Sequence, residues 1–284
     1  MKPSENRNGI RATVYAAALA ALIVLAWCPA YLAAAETSDA VRESGIMTVG
    51  IRADYLPFSE VTGQGDNITY SGFDVDTIRA VAAFIGVQTH FVVVEPGVVV
   101  TLVAESVIQV APGLNHRMGW ERVIDYSVTY LAGGTKAMVL ASSGIFSLSS
   151  LSRKRIAVVA GTDITGIETK IRDGVTIEVE TPEAGLLLLT DREVTALVGD
   201  FKDLVNLVAE SEKPATLRII KEPIVPIPIA LGLPPDDGAW RELMDRALMD
   251  LWVSGRYAEI YETWFGSEAK VRLPLDFTME VWPK

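Results

Sequence analysis

The segment GLNHRMGWERVIDYSVTY, residues 113–130, concentrates side chains that bind small polar ligands. The guanidinium of Arg117 can fork onto a carboxylate, and the ring face of Trp120 can attract a cation. Asn115 and His116 add hydrogen-bonding groups to the same stretch. These residue types predict that the segment forms part of a binding site for a small molecule.

Three further loops with polar or aromatic side chains each follow a predicted strand. Their candidate ligand-binding residues are Tyr55, Phe58, Thr162, Asp163 and Asp200. In open α/β sheets, ligands bind in the crevice beyond the carboxyl ends of the strands. The four loops are therefore expected to contribute to one cleft.

Each of these three loops also has a purely structural interpretation. Tyr55 is expected to face a ligand, whereas Phe58 can simply pack in the core. Thr162 and Asp163 open a predicted helix, whose free N–H groups suit a carboxylate but also need an ordinary cap. Asp200 in a partly dry cleft needs a cationic partner, although it can instead cap the helix that begins near Phe201.

Strand-like and helix-like segments alternate along the chain, which is typical of α/β architecture. A helix is predicted over 73–86, with Asp74 as its N-cap and Gly86 as its C-cap. Two more helices are predicted within 236–266, separated near Gly255. The predicted strands are 46–51, 89–94, 107–111, 136–141, 155–160, 175–180, 194–199 and 217–220.

Two connectors divide this series into two halves. One is the Ser- and Gly-rich stretch 142–152, and the other is the proline-interrupted apolar run 222–235, which cannot be a regular helix. We therefore predict two lobes with hinges at 136–142 and 223–232. The proposed division is a leader (1–35), the first part of lobe 1 (36–137), lobe 2 (138–228), and a return to lobe 1 with C-terminal helices and a tail (229–284).

The leader has the features of an export signal. Lys2, Arg7 and Arg11 precede an uncharged apolar run, and Ala33-Ala34-Ala35 offers a small-residue cleavage site. Retention as a membrane anchor, or lipidation at Cys28, are the alternatives, although Trp27 stands where a lipoprotein signal needs a small residue. The sequence thus indicates an extracytoplasmic protein, periplasmic or tethered to the membrane.

Charge and residue content exclude several classes of function. The formal net charge of −11 argues against nucleic acid and anionic lipid as partners. Cys28 is the single cysteine, and the two histidines, His90 and His116, lie in different segments, so neither a disulfide framework nor a metal site is expected. The patterns of hydrolase nucleophiles and nucleotide-binding loops are absent from the sequence. We predict no enzyme activity and no cofactor.

Several blocks, in order, resemble the extracellular solute-binding proteins of polar amino-acid ABC transporters. They are MTVGIRADYLPFSE, YSGFDVDTIRAVAAFIGV, ERVIDYSVTYLAGGTKAMV, LSRKRIAVVAGTD, VTALVGDFKDL and LWVSGRYAEIYETWFG, between about residues 44 and 266. The resemblance implies the type II periplasmic-binding-protein fold, an amino-acid ligand and an ABC permease as partner. It also implies an aromatic ligand contact at Tyr55, a carboxylate contact at Thr162 and an ammonium contact at Asp200. We expect the protein to act as a monomer.

One position departs from this family pattern. The arginine that binds the ligand carboxylate in the family aligns with Trp120 here. Arg117 can replace it if a helical turn places both on one side. Alternatively, Trp120 forms an aromatic box with Tyr55 and Phe58 for a cationic compatible solute, or the site is degenerate. A ligand-sensing module and a dehydratase-like cleft enzyme are the alternatives from other functional classes.

Overall fold

A computed structural model describes residues 37–282. In that part of the chain, eight α-helices and thirteen strands form. The helices are α1 (Thr37–Ser44), α2 (Phe73–Ile85), α3 (Val99–Ala104), α4 (Ile167–Lys170), α5 (Pro182–Thr190), α6 (Phe201–Glu210), α7 (Gly238–Val253) and α8 (Arg256–Phe265). The strands are β1 (Ile46–Ile51), β2 (Asp54–Tyr55), β3 (Ser59–Thr62), β4 (Thr69–Ser71), β5 (Gln88–Val93), β6 (Ala111–Asn115), β7 (Asp125–Tyr126), β8 (Leu131–Leu140), β9 (Arg155–Val159), β10 (Val175–Val179), β11 (Ala196–Asp200), β12 (Leu217–Ile219) and β13 (Val225–Leu233).

The strands form two α/β halves. In the first half, β1 pairs in parallel with β5, and a single bridge from Val49 to Val110 links β1 to the segment before β6. In the second half, parallel strands lie in the order β10-β9-β11 and are flanked by β8, which also pairs with β12. A small antiparallel sheet of β2, β3 and β4 lies over the loop that follows β1. The predicted α/β class is therefore present.

The two halves are joined by the long antiparallel strands β8 and β13. They pair from Leu131–Ile229 to Thr135–Val225. Beyond that point β8 pairs with β11 and β12 of the second half, whereas β13 pairs with β6 and β7 of the first. The proposed lobe boundaries fall inside these two strands, so the hinge positions and lobe limits stay predictions.

The proline-interrupted run contains the extended strand β13, in agreement with the prediction that it cannot be a regular helix. Pro226 and Pro228 are exposed, and they lie on the part of β13 that precedes its pairing with β6 at Ile229. Proline cannot donate a backbone hydrogen bond and is tolerated where one strand edge is free. This explains how β13 accommodates two prolines while it still pairs with β8 on its other edge.

Three predictions of local structure are wrong. The segment 107–111 is not a strand, because α3 ends at Ala104 and the chain turns back, with both Val107 and Ile108 N–H donating to Leu102 O. The helix that follows Gly161 begins only at Ile167. Asp74 is not the N-cap of its helix, because Gly72 takes that position and the Asp74 carboxylate is buried.

The helix ends that glycine marks are confirmed. Gly86 caps α2 in the left-handed conformation and donates to Ala82 O and Ala83 O. Gly255, also left-handed, separates α7 from α8. Because these glycines follow apolar residues at helical spacing, the sequence alone located both ends.

The C-terminal tail packs along the C-terminal helices of the first half. Val271 and Met279 are buried, and the Phe277 ring lies edge-on to Trp252. Tyr261 donates to Pro274 O, and Lys221 of the second half forms a 3.1 Å ion pair with Asp276. The tail therefore contacts both halves on the side where β8 runs past α8.

Candidate functional site

A cavity of about 230 Å³ lies between the two halves. Five of the predicted ligand residues line it: Tyr55, Asn115, Arg117, Trp120 and Asp200. The cavity lies beyond the carboxyl ends of strands, where ligands bind in open α/β sheets, since Tyr55 follows β1 and Asp200 ends β11. Loops from both halves thus meet around one small cavity.

A larger cavity, of about 490 Å³, lies behind the connecting strands. The C-terminal tail covers it, and Lys136, Phe201 and Lys221 are among the residues that line it. None of the eight predicted ligand residues lines this cavity. Its size alone does not make it the ligand site, because strand ends and convergent polar groups mark the smaller one.

Asp200 and Asn115 form the polar core of the cleft. Asp200 caps α6 by accepting from the Lys202 N–H at 2.9 Å, and it accepts from Asn115 Nδ2 at 2.6 Å. A carboxylate can only accept, so the Asn115 amide must turn its nitrogen toward Asp200. Asn115 Oδ1 is then buried, without a hydrogen-bond partner among the described residues. Asp200 acts as helix cap and cleft carboxylate together.

The helical turn that would allow Arg117 to replace the expected arginine is present. Trp120 N–H donates to Arg117 O at 2.9 Å, and the Arg117 guanidinium carbon lies 5.3 Å from the Trp120 ring centroid. Both side chains line the cleft. Within the described residues Arg117 has no ion-pair partner, so its guanidinium is available to a carboxylate. His116 instead bonds to Glu121 and stacks on Tyr126.

Thr162 and Asp163 do not line the cavity. Residues 161–166 form a turn rather than the start of a helix, so the predicted helix N-terminus is not built there. Hydrogen bonds from Thr165 hold the pKa of the Asp163 carboxyl below its usual value, and the positive charge of Arg117 contributes less. The role of Thr162 as a carboxylate contact stays a prediction.

Both the hydroxyl group and the ring face of Tyr55 contact other residues of this protein. Its hydroxyl donates to Asp203 Oδ1 at 2.7 Å, and the Arg52 guanidinium carbon lies 3.5 Å from its ring centroid. Arg52 also lies 3.6 Å from Asp203. Sequence reasoning missed Arg52 and Asp203. The only available signal was their position, one directly after β1 and the other three residues after Asp200.

A buried ion pair also crosses the cleft and was not predicted. Lys202 Nζ lies 2.8 Å from Asp74 Oδ2, and the two residues are 4% and 3% exposed. Tyr130 donates to the other Asp74 oxygen at 2.7 Å. Asn206 Nδ2 donates to Leu56 O at 2.8 Å, so the first two turns of α6 make polar contacts with the first half at three positions, Lys202, Asp203 and Asn206. These contacts join the two halves across the cleft.

Each of the three aromatic rings in the hypothetical box already has a cationic side chain of this protein close to its ring centroid. Arg52 covers Tyr55, Lys202 Nζ lies 4.3 Å from the Phe58 centroid, and Arg117 lies over Trp120. Phe58 is fully buried and does not line the cavity, as its core interpretation required. The geometry therefore does not favour an aromatic box for a quaternary ammonium ligand.

Asp203 should make the stability of the folded protein depend on pH. Burial raises the pKa of its carboxyl, with a further contribution from Asp200, although about 36% of the side chain is exposed. A raised pKa means that the folded cleft favours the protonated form. The stabilisation is complete below the ordinary carboxyl pKa of about 3.9 and is lost as the pH rises through the raised value.

We therefore expect Asp203→Asn, which keeps an acceptor for Tyr55, to raise the thermal midpoint at pH 7.5 and to leave it unchanged near pH 4. Thermal unfolding across this range measures the difference, with the exposed Asp173→Asn as the matched control. A benefit that grows as the pH falls would contradict the assignment.

Two absences hold for the described residues 37–282. No group of three or more His, Cys, Asp or Glu side chains is arranged to hold a metal ion. In the same range no helix has the length and apolar character needed to cross a membrane. The leader, residues 1–35, falls outside this range, so its function as an export signal stays a prediction.

The fold and the inter-lobe cleft define a class, the two-lobed ligand-binding proteins. Residues 47–267 match the family described as Bacterial extracellular solute-binding proteins, family 3. This match covers most of the chain, and the chain belongs to that family. The resemblance that the sequence blocks indicated is confirmed.

Relatives and solved structures agree with this assignment. The L-glutamate/L-aspartate-binding protein of Pseudomonas aeruginosa is 23% identical over 241 residues, which cover 81% of this chain and 80% of the relative. The cyclohexadienyl dehydratase of the same species is 32% identical over 127 residues, or 44% of this chain and 46% of the enzyme. The structure of an ancestral cationic amino acid solute-binding protein superposes with a TM-score of 0.65 at 22% identity, covering 80% of this chain and 99% of that one. The type II periplasmic-binding-protein fold is confirmed.

Proposed function

We propose that this protein binds a free amino acid in the cleft and delivers it to an ABC importer. The ligand's α-ammonium lies between Asp200 and Asn115, and its α-carboxylate pairs with Arg117, with Thr162 as a further contact from the facing turn. Asp200 and Arg117 are attached to different halves, so a ligand that bridges them favours the closed form. Hinge closure through β8 and β13 then couples binding to a shape that a permease recognises.

The unpaired Asn115 Oδ1 is the observation that carries this proposal. A buried acceptor without a partner costs roughly 1–3 kcal/mol, and a ligand donor removes that cost. An ammonium group has several donors and can satisfy both Asn115 Oδ1 and the negative Asp200 beside it. Arg117, which lines the same small cavity, supplies the opposite charge.

The proposal includes the setting in which the protein acts. Its partners are the membrane subunits of an ABC permease, and it acts as a monomer outside the cytoplasmic membrane. The predicted leader and the family membership support this location. The names of relatives and structural neighbours mention both acidic and cationic amino acids, so they do not choose the side chain of the ligand.

We propose binding without turnover, although part of the chain is similar to a dehydratase. A dehydration needs a general acid placed at the leaving hydroxyl. The three carboxylates that line the cleft, Asp74, Asp200 and Asp203, are each engaged by hydrogen bonds or ion pairs of the chain. Although burial raises the pKa of the Asp203 carboxyl, Tyr55 and Arg52 hold that group in place, so the cleft is better suited to holding a ligand than to protonating one.

Calorimetric titration of purified, ligand-stripped protein tests this function. The panel contains the twenty common amino acids, glycine betaine and other betaines, polyamines and prephenate. We expect saturable binding of at least one amino acid and recovery of that compound unchanged by mass spectrometry. Binding of a betaine alone would replace the proposal with the aromatic-box hypothesis, and conversion of prephenate would replace it with an enzyme.

A further inference from the structure

We propose that Lys202 acts as a built-in ligand, filling the cation subsite of the cleft, so that the free ligand carries no positive charge on its side chain. The second half of this statement rests on the proposed function. The first half concerns the chain alone and can be tested without knowing the natural ligand.

The groups around the Lys202 ammonium form a complete cation site. Asp74 Oδ2 lies 2.8 Å from Nζ, and the Gly113 carbonyl oxygen lies 3.5 Å away. The ring centroids of Phe58 and Tyr55 lie at 4.3 and 5.3 Å. All four groups belong to the first half of the molecule, whereas Lys202 reaches them from α6 of the second half. A carboxylate, a carbonyl and two ring faces are the groups that recognise an ammonium ion.

The local structure of α6 does not explain this lysine. Lys202 is the second residue of the helix, where the helix dipole disfavours a positive charge. Its side chain is also almost fully removed from water, which is costly for an ammonium without a partner. The tertiary contact with Asp74, which joins the two halves, must therefore offset both effects.

The backbone at Gly113 is shaped around the same ammonium. Gly113 has a φ of +78°, and a Cβ there would lie 1.9 Å from Lys202 Nζ and 2.7 Å from Asp74 Oδ2. Only a residue without a side chain allows Nζ to approach this closely. Gly113 belongs to the same segment as Asn115 and Arg117, so the built-in cation lies directly beside the proposed ligand groups.

This arrangement limits the class of ligand. Lys202 and Tyr130 use both oxygens of Asp74, while Tyr55 and Arg52 both contact Oδ1 of Asp203. If Asp200 takes the α-ammonium, Asp203 is the carboxylate of the lining that remains, and a second positive charge would compete for it with Arg52, which lies 3.6 Å from its Oδ1. The remaining space of about 230 Å³ also suits a small ligand. The ligand is thus an amino acid with a neutral or acidic side chain.

Chemical rescue of Lys202→Ala tests the built-in ligand. The substitution removes three carbons and the ammonium, and n-propylammonium replaces these atoms. We expect n-propylammonium chloride to raise the thermal midpoint of Lys202→Ala saturably, by roughly 3–6 °C, relative to sodium chloride at equal ionic strength. The wild type and Lys213→Ala, which removes an exposed lysine, should show no such rise.

Two further variants distinguish binding of n-propylammonium in the cation subsite from a general effect of the amine on stability. Lys202→Met fills the space without a charge, and Asp74→Asn combined with Lys202→Ala removes the counter-charge, so neither should respond to n-propylammonium. If Lys202→Ala does not fold by itself, the yield of refolding with and without the amine replaces the midpoint. The absence of any gain in midpoint or yield, or an equal gain in Lys202→Met, would overturn the proposal.

A separate titration tests the restriction on the class of ligand. Titration of the wild type with arginine and lysine should give no measurable binding, whereas Lys202→Ala should gain affinity for one of them by at least about 10-fold. Tight binding of arginine by the wild type would overturn the restriction on the ligand. If the wild type binds no amino acid at all, the proposed function fails, but the result with n-propylammonium still decides the role of Lys202.

Discussion

Asp200→Asn is expected to weaken binding of the natural amino acid by at least about 100-fold and to leave the fold intact. Asparagine caps a helix as well as aspartate does, so α6 keeps its N-terminal hydrogen bond to the Lys202 N–H. The ligand ammonium, however, loses the carboxylate that we propose as its partner. Removing one member of such a charge pair costs about 2–5 kcal/mol.

Calorimetry of the variant and of Asp191→Asn, an exposed aspartate at the end of α5, measures the effect. Thermal midpoints of all three proteins show whether the fold is preserved. Asp200→Ala adds the loss of the cap and should lower the midpoint as well, by the equivalent of about 1 kcal/mol. An affinity of Asp200→Asn equal to that of the wild type would show that Asp200 serves only the helix.

Gly134→Ala is expected to cause a large loss of stability. Gly134 lies on β8 where the strand pairs with Pro226 of β13, and its φ is +120°. A Cβ at this position would lie 2.1 Å from Val225 O and 2.7 Å from Ile227 N. The contacts are with backbone atoms, so no side chain can move aside. Backbone strain and overpacking together should cost roughly 3–5 kcal/mol.

A loss of this size should lower the thermal midpoint by about 10 °C for a chain of this length. The matched control is Gly97→Ala, because the Cβ of an alanine at 97 meets no atom within 4 Å. The two proteins are compared by thermal unfolding with and without ligand. If Gly134→Ala unfolds at the wild-type temperature, the two strands must separate in solution by more than the structure shows.

The sequence alone was sufficient to predict the features that depend on a local pattern of residues. Periodic apolar residues with a glycine after them located the ends of α2 and α7, and the strand-end rule brought Asp200 to the cleft. The extended conformation of β13 followed from its prolines. These features depend on residues that are neighbours in the sequence, so no knowledge of the tertiary structure was needed.

The cleft contacts between the halves could not be derived in this way. Asp74 and Lys202 are 128 residues apart, and Tyr55 and Asp203 are 148 residues apart. An aspartate at the start of a predicted helix is usually an N-cap, so the sequence predicted that function for Asp74. The residues that actually contact Asp74 are distant in the sequence, and the local pattern does not indicate them. The same limit applies to 107–111, where apolar residues pack in a turn rather than a strand.

The departure at Trp120 shows how sequence and structure complement each other. Alignment within the family indicated that a carboxylate-binding arginine was missing, and left three explanations open. The structure places Arg117 one helical turn earlier, over the Trp120 ring and facing the same cavity. Trp120 then orients the guanidinium by its ring face, so the substitution is compatible with an unchanged ligand class.

The central claim is that the two halves hold opposite ends of one amino acid. The most direct test compares the amino acid that binds best with two analogues, the amine that lacks the carboxylate and the acid that lacks the ammonium. We predict that each analogue binds at least about 100-fold more weakly, and that Arg117→Ala removes the preference for the carboxylate but not the preference for the ammonium. Analogues that bind as tightly as the amino acid would contradict the claim, because neither Asp200 nor Arg117 would then contribute to recognition.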